Sequence, residues 1–389
     1  MARSNKLSAA LIVVCQSLQT LSIGGVSLFL PLIRADLGLT FAQAGFISSA
    51  ALFSFALMQI PAGWLADRLG AKRLFTIGLL GVLALTCLLG MLDSYWMVLL
   101  TQVLSGVFRS FVFIPGMLLI TWEFPQDREA TAMGLYVAGG YSSNVLLSSI
   151  GPFLVEPFGW RTLFVVFGLA GCVAVFGYAW AGGPGPPRQG GAAPPLRRLG
   201  ELLARPVFVL AAWLQFVRYA IANGVTFWLP SFLVSDHAMS LRTAGIVVAA
   251  SALLTAPANL VGGYLSDRLR APARVIAVSL AVLVVSLSII AARPAWPVLC
   301  AAIAVQAIFV QVYFGPLFAV PIQAFGQEIA ALSNGYSNLC ANIGGLAAAW
   351  ALGAIRDATG DFAAGFWMLA GLAATGVAAA MALRKVLAR

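Results

Sequence analysis

The chain has 389 residues, of which 61% are hydrophobic and 9% charged. A soluble domain carries about a quarter charged residues, so this composition excludes a water-soluble globular protein and implies an integral membrane one. The formal net charge of +10 does not indicate a nucleic-acid partner, because the cations lie in short loops between apolar runs. The five cysteines (Cys15, Cys87, Cys172, Cys300 and Cys340) all fall inside apolar runs, with no CxxC and no zinc-ligand spacing. They read as small buried apolar residues, and no metal or other cofactor is expected.

In chain order, MARSNKL leads directly into an apolar run longer than a signal-peptide core, so no cleavage is expected. Charges and turn residues then divide the chain into twelve apolar segments: 8–33, 41–66, 73–92, 95–120, 129–155, 160–181, 207–234, 241–266, 273–292, 294–322, 327–355 and 361–384. Each is long enough to cross a bilayer, which takes about 20 residues. Only the link between the sixth and seventh is long. It reads GGPGPPRQGGAAPPLRRLGELLARP, a Gly/Pro-rich stretch followed by a basic amphipathic piece. The expected architecture is all-α: a six-helix bundle over 1–181, a linker over 182–206 and a second six-helix bundle over 207–389.

The cations orient this array. With the N-terminus inside, sixteen Lys and Arg lie in cytoplasmic segments and five, Arg34, Arg161, Arg242, Arg293 and Arg356, lie outside. That asymmetry places both termini and the linker in the cytoplasm. The halves also repeat. GVSLFLP at 25–31 recurs as GVTFWLP at 224–230, Ala44-Gly45 as Ala244-Gly245, and GWLADRL at 63–69 as GYLSDRL at 263–269. Two pseudo-symmetric bundles follow, and in such folds the substrate site lies near mid-membrane at the repeat interface.

Two six-span halves, a long cytoplasmic link and GWLADRLGAKR between spans two and three resemble the major facilitator superfamily. Its loop signature is matched by Gly63, Leu65, Ala66, Asp67, Arg68, Gly70 and, one place late, Lys72 and Arg73, with Ala71 where a basic residue is usual. The second copy keeps Gly263, Leu265, Asp267 and Arg268 but has Arg270 in place of the glycine. The resemblance implies a gating role for this loop, locking the cytoplasmic side while the outside is open, with Glu123 and Glu328 as candidates to share the network. A plainer reading of the same residues is a topology signal in a solvated loop.

Two charges fall inside spans. Arg218 is the sole charge between Pro206 and Ser235, and Arg109 the sole charge between Asp93 and Glu123. None of the thirteen acidic residues falls at mid-span, and His237, the single histidine, is in an outer loop. An arginine at mid-bilayer costs about 2.5–3.5 kcal/mol on insertion scales. A bound anion offsets that cost, since a guanidinium fork suits carboxylate, nitrate or phosphate. The competing reading is that each arginine bonds helix carbonyls or snorkels as a structural pin. Polar stripes accompany both residues: Gln215, Tyr219 and Asn223 on span seven, Gln102 and Ser105 on span four, Gln306 and Tyr313 on span ten, and Asn334, Asn338 and Asn342 on span eleven. Span one offers Gln16, Gln19 and Thr20.

Arg218-Tyr219 with Trp228 and Pro230 resembles the seventh-span stretch of the organophosphate:phosphate antiporters, in which the arginine binds the anion. The third residue there is Ala220, and the first-span arginine of that family has no counterpart. Arg109, three residues after Gly106, occupies a place that resembles a cavity-lining acidic position of the organic anion:cation symporters. The family geometry puts spans one, four, seven and ten around the cavity.

No nucleophile–base pair or phosphate loop points to an enzyme. The expected function is secondary active or facilitative transport of a mono- or dicarboxylate by alternating access. Arg109, Arg218, Tyr219, Gln19, Gln306, Tyr313 and Asn338 are the expected substrate contacts. With no embedded carboxylate to titrate, anion exchange or facilitated diffusion fits better than proton coupling. The alternatives are a nitrate/nitrite-type exchanger, hinted at by Gly139-Gly140 and Gly344-Gly345, then a lipophilic drug exporter, then a non-transporting receptor. The expected setting is a bacterial inner membrane, with a monomer, lipid and a small anion as the participants.

Overall fold

The computed structural model describes residues 6–124, 129–186 and 205–387, and among these it contains helices and no strands. Most of the expected linker, 187–204, lies outside the described residues, as do the surroundings of Gly63, Asp67, Asp267, Glu328 and Asn334. The helices are α1 (Lys6–Leu28), α2 (Leu30–Leu37), α3 (Phe41–Leu69), α4 (Ala71–Leu89), α5 (Tyr95–Trp122), α6 (Glu129–Ala181), α7 (Pro206–Ser235), α8 (Leu241–Leu269), α9 (Pro272–Ala291), α10 (Trp296–Val312), α11 (Phe314–Thr359) and α12 (Ala363–Leu387).

Their breaks have local causes. The first predicted span ends early at Phe29, where Pro31 opens α2. The tenth stops at Val312 because Pro316, in the first turn of α11, has no N–H and its ring would clash with the carbonyl four residues back. The fifth and sixth spans form one run, α6, turned at Gly159, whose φ of 73° suits a residue without a side chain. Among the described residues, eleven stretches are long and apolar enough to cross a bilayer, and the fused α6 accounts for two of the twelve expected spans. Large apolar side chains stand exposed on the helices, Val173, Phe176 and Trp180 of α6 among them. Lipid covers such a surface at no hydrophobic cost.

The chain forms two compact units. Unit 1 comprises residues 1–39, 50–193 and 239–249, and unit 2 comprises 40–49, 194–238 and 250–389. In unit 1, α1 packs along α6 and α4 along α5, around a core that includes Ile12, Phe75, Leu79, Val112, Tyr136 and Tyr178. In unit 2, α7 packs along α11 and α9 along α12. Close approaches rely on residues without side chains. A Cβ on Gly262 of α8 would overlap the Val312 carbonyl, and one on Gly344 of α11 would overlap the Phe216 carbonyl. Small residues that let backbones touch are the usual adhesive between membrane helices.

The repeat at an offset of 200 extends well beyond the sequence matches. Gly38 (φ 61°) corresponds to Ala238 (φ 52°), and Gly70 (φ 88°) to Arg270 (φ 46°). The left-handed backbone survives where the glycine does not, at a steric cost of about 1–2 kcal/mol per residue. Thr40 and Gln43 form a reciprocal cap at the start of α3, with bonds of 3.0 and 3.1 Å. Ser240 accepts from the Thr243 amide at the start of α8.

An ion triad repeats as well, with part of its charge inverted. In unit 1, Arg161 lies 2.9 Å from Asp36 and 2.8 Å from Asp93. In unit 2, Arg293 lies 3.5 Å from Asp236 and 2.6 Å from Asp361. Asp93 and Arg161 thus become Arg293 and Asp361, so that one cation still bridges two carboxylates. In unit 1 the triad ties α2 to the part of α6 just past the Gly159 turn, and in unit 2 it ties the end of α7 to the residues that lead into α12.

Candidate functional site

In unit 2, Gln215, Tyr219 and Phe314 surround Arg218 of α7. Its charge sits in the middle of a 30-residue helix and only 6% of the residue is exposed. The Nε group donates to the Gln215 Oε1 at 3.0 Å, one turn earlier on the same helix. The guanidinium lies 4.6 Å from the centre of the Phe314 ring and 5.6 Å from that of Tyr219. Both are cation–π distances, and such contacts gain strength away from water. Tyr313, at the joint between α10 and α11, is fully buried and directly precedes Phe314. Of the residues expected from sequence, Tyr219 lies against Arg218 in the structure.

Other expected contacts in unit 2 take up different positions. Gln306 is buried on α10. Asn338 lies one turn before Asn342, whose side-chain amide donates to the Asn338 carbonyl at 2.8 Å. Asn223 is used in packing: its amide donates to the Gly345 carbonyl at 3.0 Å, holding α7 against α11. Trp228 does the same lower on the face, its indole donating to the Ala349 carbonyl at 2.8 Å.

In unit 1, Arg109 is carried by α5 and its guanidinium lies 5.3 Å from the Phe55 ring of α3. One turn earlier, Gly106 lets α5 approach α3 so closely that a Cβ would overlap the Ala51 carbonyl and the Ser54 hydroxyl. Gln19 and Gln16 are buried on α1. Gly139 of α6 faces Val13 and Ser17 of α1, and Ser17 donates to the Gly139 carbonyl at 3.0 Å. Phe55 and Phe314 were missed from sequence, because periodicity marks them only as apolar positions. Gln215 stood on the expected stripe, but its bond to Arg218 gives it a definite role.

The expected gating residues divide. Glu123, 6% exposed at the end of α5, accepts from the Ser8 hydroxyl at 2.6 Å. That hydroxyl in turn accepts from the Gly183 amide at 3.0 Å, and Lys72 donates to the Gly182 carbonyl at 2.7 Å. Glu123 and Lys72 thus anchor the first residues after α6. Gly70, Lys72 and Arg73 also line a cleft of about 730 Å³ with Thr76, Pro184 and Gly185. Arg68 and Arg268 are exposed in the last turns of α3 and α8. The side chains of Asp67 and Asp267, the remaining members of the motif, lie outside the described residues.

With the fold and these residues in place, the chain can be compared with known proteins. The family model described as Major Facilitator Superfamily matches residues 12–271 and 214–388. The chain belongs to the Major Facilitator Superfamily. Solved transporters of this superfamily share its fold over nearly the whole length. A bacterial homologue of the human lysosomal transporter Spinster, inward-facing and occupied, superposes with a TM-score of 0.83 at 19% identity, covering 99% of this chain and 97% of that one. The nucleoside transporter NupG gives 0.82 at 12% identity, covering 96% and 99%.

Among curated relatives, "Probable nitrate/nitrite antiporter NarK1" of Thermus thermophilus is 30% identical over 61% of this chain and 55% of its own length. "Probable galactarate/D-glucarate transporter GudP" of Bacillus subtilis (strain 168) is 26% identical over 88% of this chain and 82% of its own. The "Cis,cis-muconate transport protein" of Acinetobacter baylyi is 26% identical over 61% and 60%. The match thus spans little more than half of the nitrate/nitrite relative and most of the galactarate/glucarate one. As a superfamily member the chain is a multi-pass membrane protein of a transporter family, not an enzyme.

Proposed function

We propose that this superfamily member carries a small organic anion, a mono- or dicarboxylate, across the membrane by alternating access, and that Arg109 and Arg218 bind the anion. The observation that carries this reading is the setting of Arg218: a guanidinium 6% exposed at mid-helix, oriented by a neutral amide oxygen and flanked by two aromatic faces. An arginine is charged in any such setting, and the amide and rings direct it, which is what recognition of a planar carboxylate requires. Arg109 against Phe55 is the corresponding group in unit 1. Relatives described as carrying galactarate, glucarate and muconate support an organic acid as the cargo. Tyr219, Gln19, Gln306, Tyr313 and Asn338 complete the proposed contact set.

The nitrate/nitrite relative favours a second reading, exchange of an inorganic anion at the same arginines. The glycine pairs agree with it in part, since Gly139-Gly140 faces α1 and Gly344-Gly345 faces α7 at Phe216 and Tyr219. Purified protein in liposomes, offered labelled carboxylates and nitrate in parallel, separates the two. Saturable carboxylate exchange with no nitrate flux is expected. Nitrate flux without carboxylate flux would establish the second reading instead.

The remaining parts of the proposal concern the setting. The cation asymmetry supports both termini facing the cytoplasm, in a bacterial inner membrane. The working unit is a monomer, and its partners are the anion and the bilayer. The loop motif through Asp67, Arg68 and Arg73, with its second copy at Asp267 and Arg268, serves as the cytoplasmic gate.

A further inference from the structure

Two buried side chains around Arg218 carry hydrogen-bonding atoms that the structure leaves unused. Gln215 is 1% exposed and Tyr313 is fully buried. An arginine side chain only donates hydrogen bonds, so its bond to Gln215 fixes which way that amide faces. The oxygen meets Arg218, and the two N–H donors of Gln215 Nε2 face elsewhere. That Nε2 group has no hydrogen-bond partner, and neither does the Tyr313 hydroxyl. Leaving a buried donor unsatisfied costs about 1–3 kcal/mol. Phenylalanine at 313 would fill the same space without that cost.

Of the two groups, the first touches the guanidinium, and the second is the chain neighbour of a ring that does. Gln215 is bonded to it, and Tyr313 precedes Phe314, whose ring lies against it at 4.6 Å. The result is a charged fork accompanied by an amide donor and by a hydroxyl that can both donate and accept. A carboxylate alone is served by a bidentate guanidinium. The additional neutral groups suit a neutral oxygen nearby, which on an organic acid is a hydroxyl on the adjoining carbon.

We propose that Gln215 and Tyr313 are specificity-determining residues that bind a hydroxyl next to the carboxylate held by Arg218, and so select hydroxylated acids over their deoxy analogues. The inference rests on the reading of Arg218 as the anion-binding residue. It adds a physical prediction of its own. A site built to hydrogen-bond a hydroxyl rejects the analogue lacking it strongly, because its own buried groups are then left unpaired.

The test compares glucarate with adipate, six-carbon dicarboxylates with and without hydroxyls, as competitors of exchange in proteoliposomes. The wild-type protein is expected to prefer glucarate by at least about tenfold, the equivalent of about 1.4 kcal/mol. Tyr313→Phe and Gln215→Leu are each expected to bring the ratio close to one. Tyr313→Phe, which leaves the Arg218–Gln215 bond intact, is expected to raise the KM for glucarate more than that for adipate. An unchanged ratio in Tyr313→Phe overturns the proposal. So does equal loss of both substrates in a variant that remains monodisperse with wild-type thermal stability, since that result assigns a structural role. Carboxylate exchange by the wild type without hydroxyl preference overturns this inference alone. Absence of any carboxylate exchange overturns the transport reading beneath it.

Discussion

Asp36 and Asp236 occupy equivalent places in the two units, yet their removal is expected to have very different consequences. Asp236 is 1% exposed at its side chain and accepts from four groups: Arg356 at 3.2 Å, Arg293 at 3.5 Å, the Phe362 amide at 2.9 Å and the Ser235 hydroxyl at 3.2 Å. Asp236→Asn keeps the shape but leaves two guanidiniums facing a neutral amide. Breaking a fully buried pair costs about 3–5 kcal/mol. Arg356 and Arg293 are 16% and 37% exposed and recover some hydration, which brings the expected cost to about 2–3 kcal/mol. Asp36 pairs with Arg161 at 45% and 30% exposure, where an ion pair contributes less than about 1 kcal/mol. Equilibrium unfolding in detergent of Asp36→Asn, Asp236→Asn and wild type measures both differences under one set of conditions. Equal losses, or a larger loss for Asp36→Asn, would refute the assignment of Asp236 as the buried tie of unit 2.

Further outcomes follow from neighbouring groups. Burial holds the His237 imidazole below its usual value of 6.5; the Asp236 carboxylate pulls the other way and Arg293 adds to the depression. The unfolded chain therefore binds this proton first as pH falls, so the contribution of His237 is complete above about pH 6.5 and is lost on acidification below it. His237→Gln is expected to flatten the fall in apparent Tm between pH 7 and pH 5, and a wild-type slope in that variant would contradict the assignment. In α11, a Cβ on Gly345 would lie 2.5 Å from the Tyr219 ring. Overpacking of this kind costs about 1–3 kcal/mol, so Gly345→Ala is expected to displace Tyr219 and raise the transport KM with near-normal expression. An unaltered KM would remove Tyr219 from the contact set.

Much of the fold was legible in the sequence because bilayer length and loop charge are strong, local signals. The repeat was legible where the residues stayed identical, as in GWLADRL and GYLSDRL, and hidden where only the physics stayed the same. Asp93 and Arg161 against Arg293 and Asp361 match at neither position, but each pair closes a triad on the equivalent aspartate, Asp36 or Asp236. Arg270 similarly keeps the left-handed turn of Gly70 while concealing it. The break before α11 could have been read from Pro316, four residues after Val312. Arg109 and Arg218 announced themselves as isolated charges. The rings against them did not, since nothing in an apolar run distinguishes a phenylalanine facing a guanidinium from one facing lipid. Gln215 was visible as a polar residue one turn from Arg218, but only the geometry reveals that its oxygen is occupied and its nitrogen is not.

The central claim is that Arg109 and Arg218 bind the transported anion, and charge removal at both is its most direct test. Arg109→Gln and Arg218→Gln, singly and together, would be reconstituted in liposomes loaded with unlabelled glucarate and assayed for uptake of the labelled anion. Each single variant is expected to lose at least about a hundredfold in kcat/KM, consistent with about 3 kcal/mol for a desolvated charge pair. The double variant is expected to be indistinguishable from protein-free liposomes while retaining its monodisperse elution. Saturable exchange persisting in that double variant would contradict the claim.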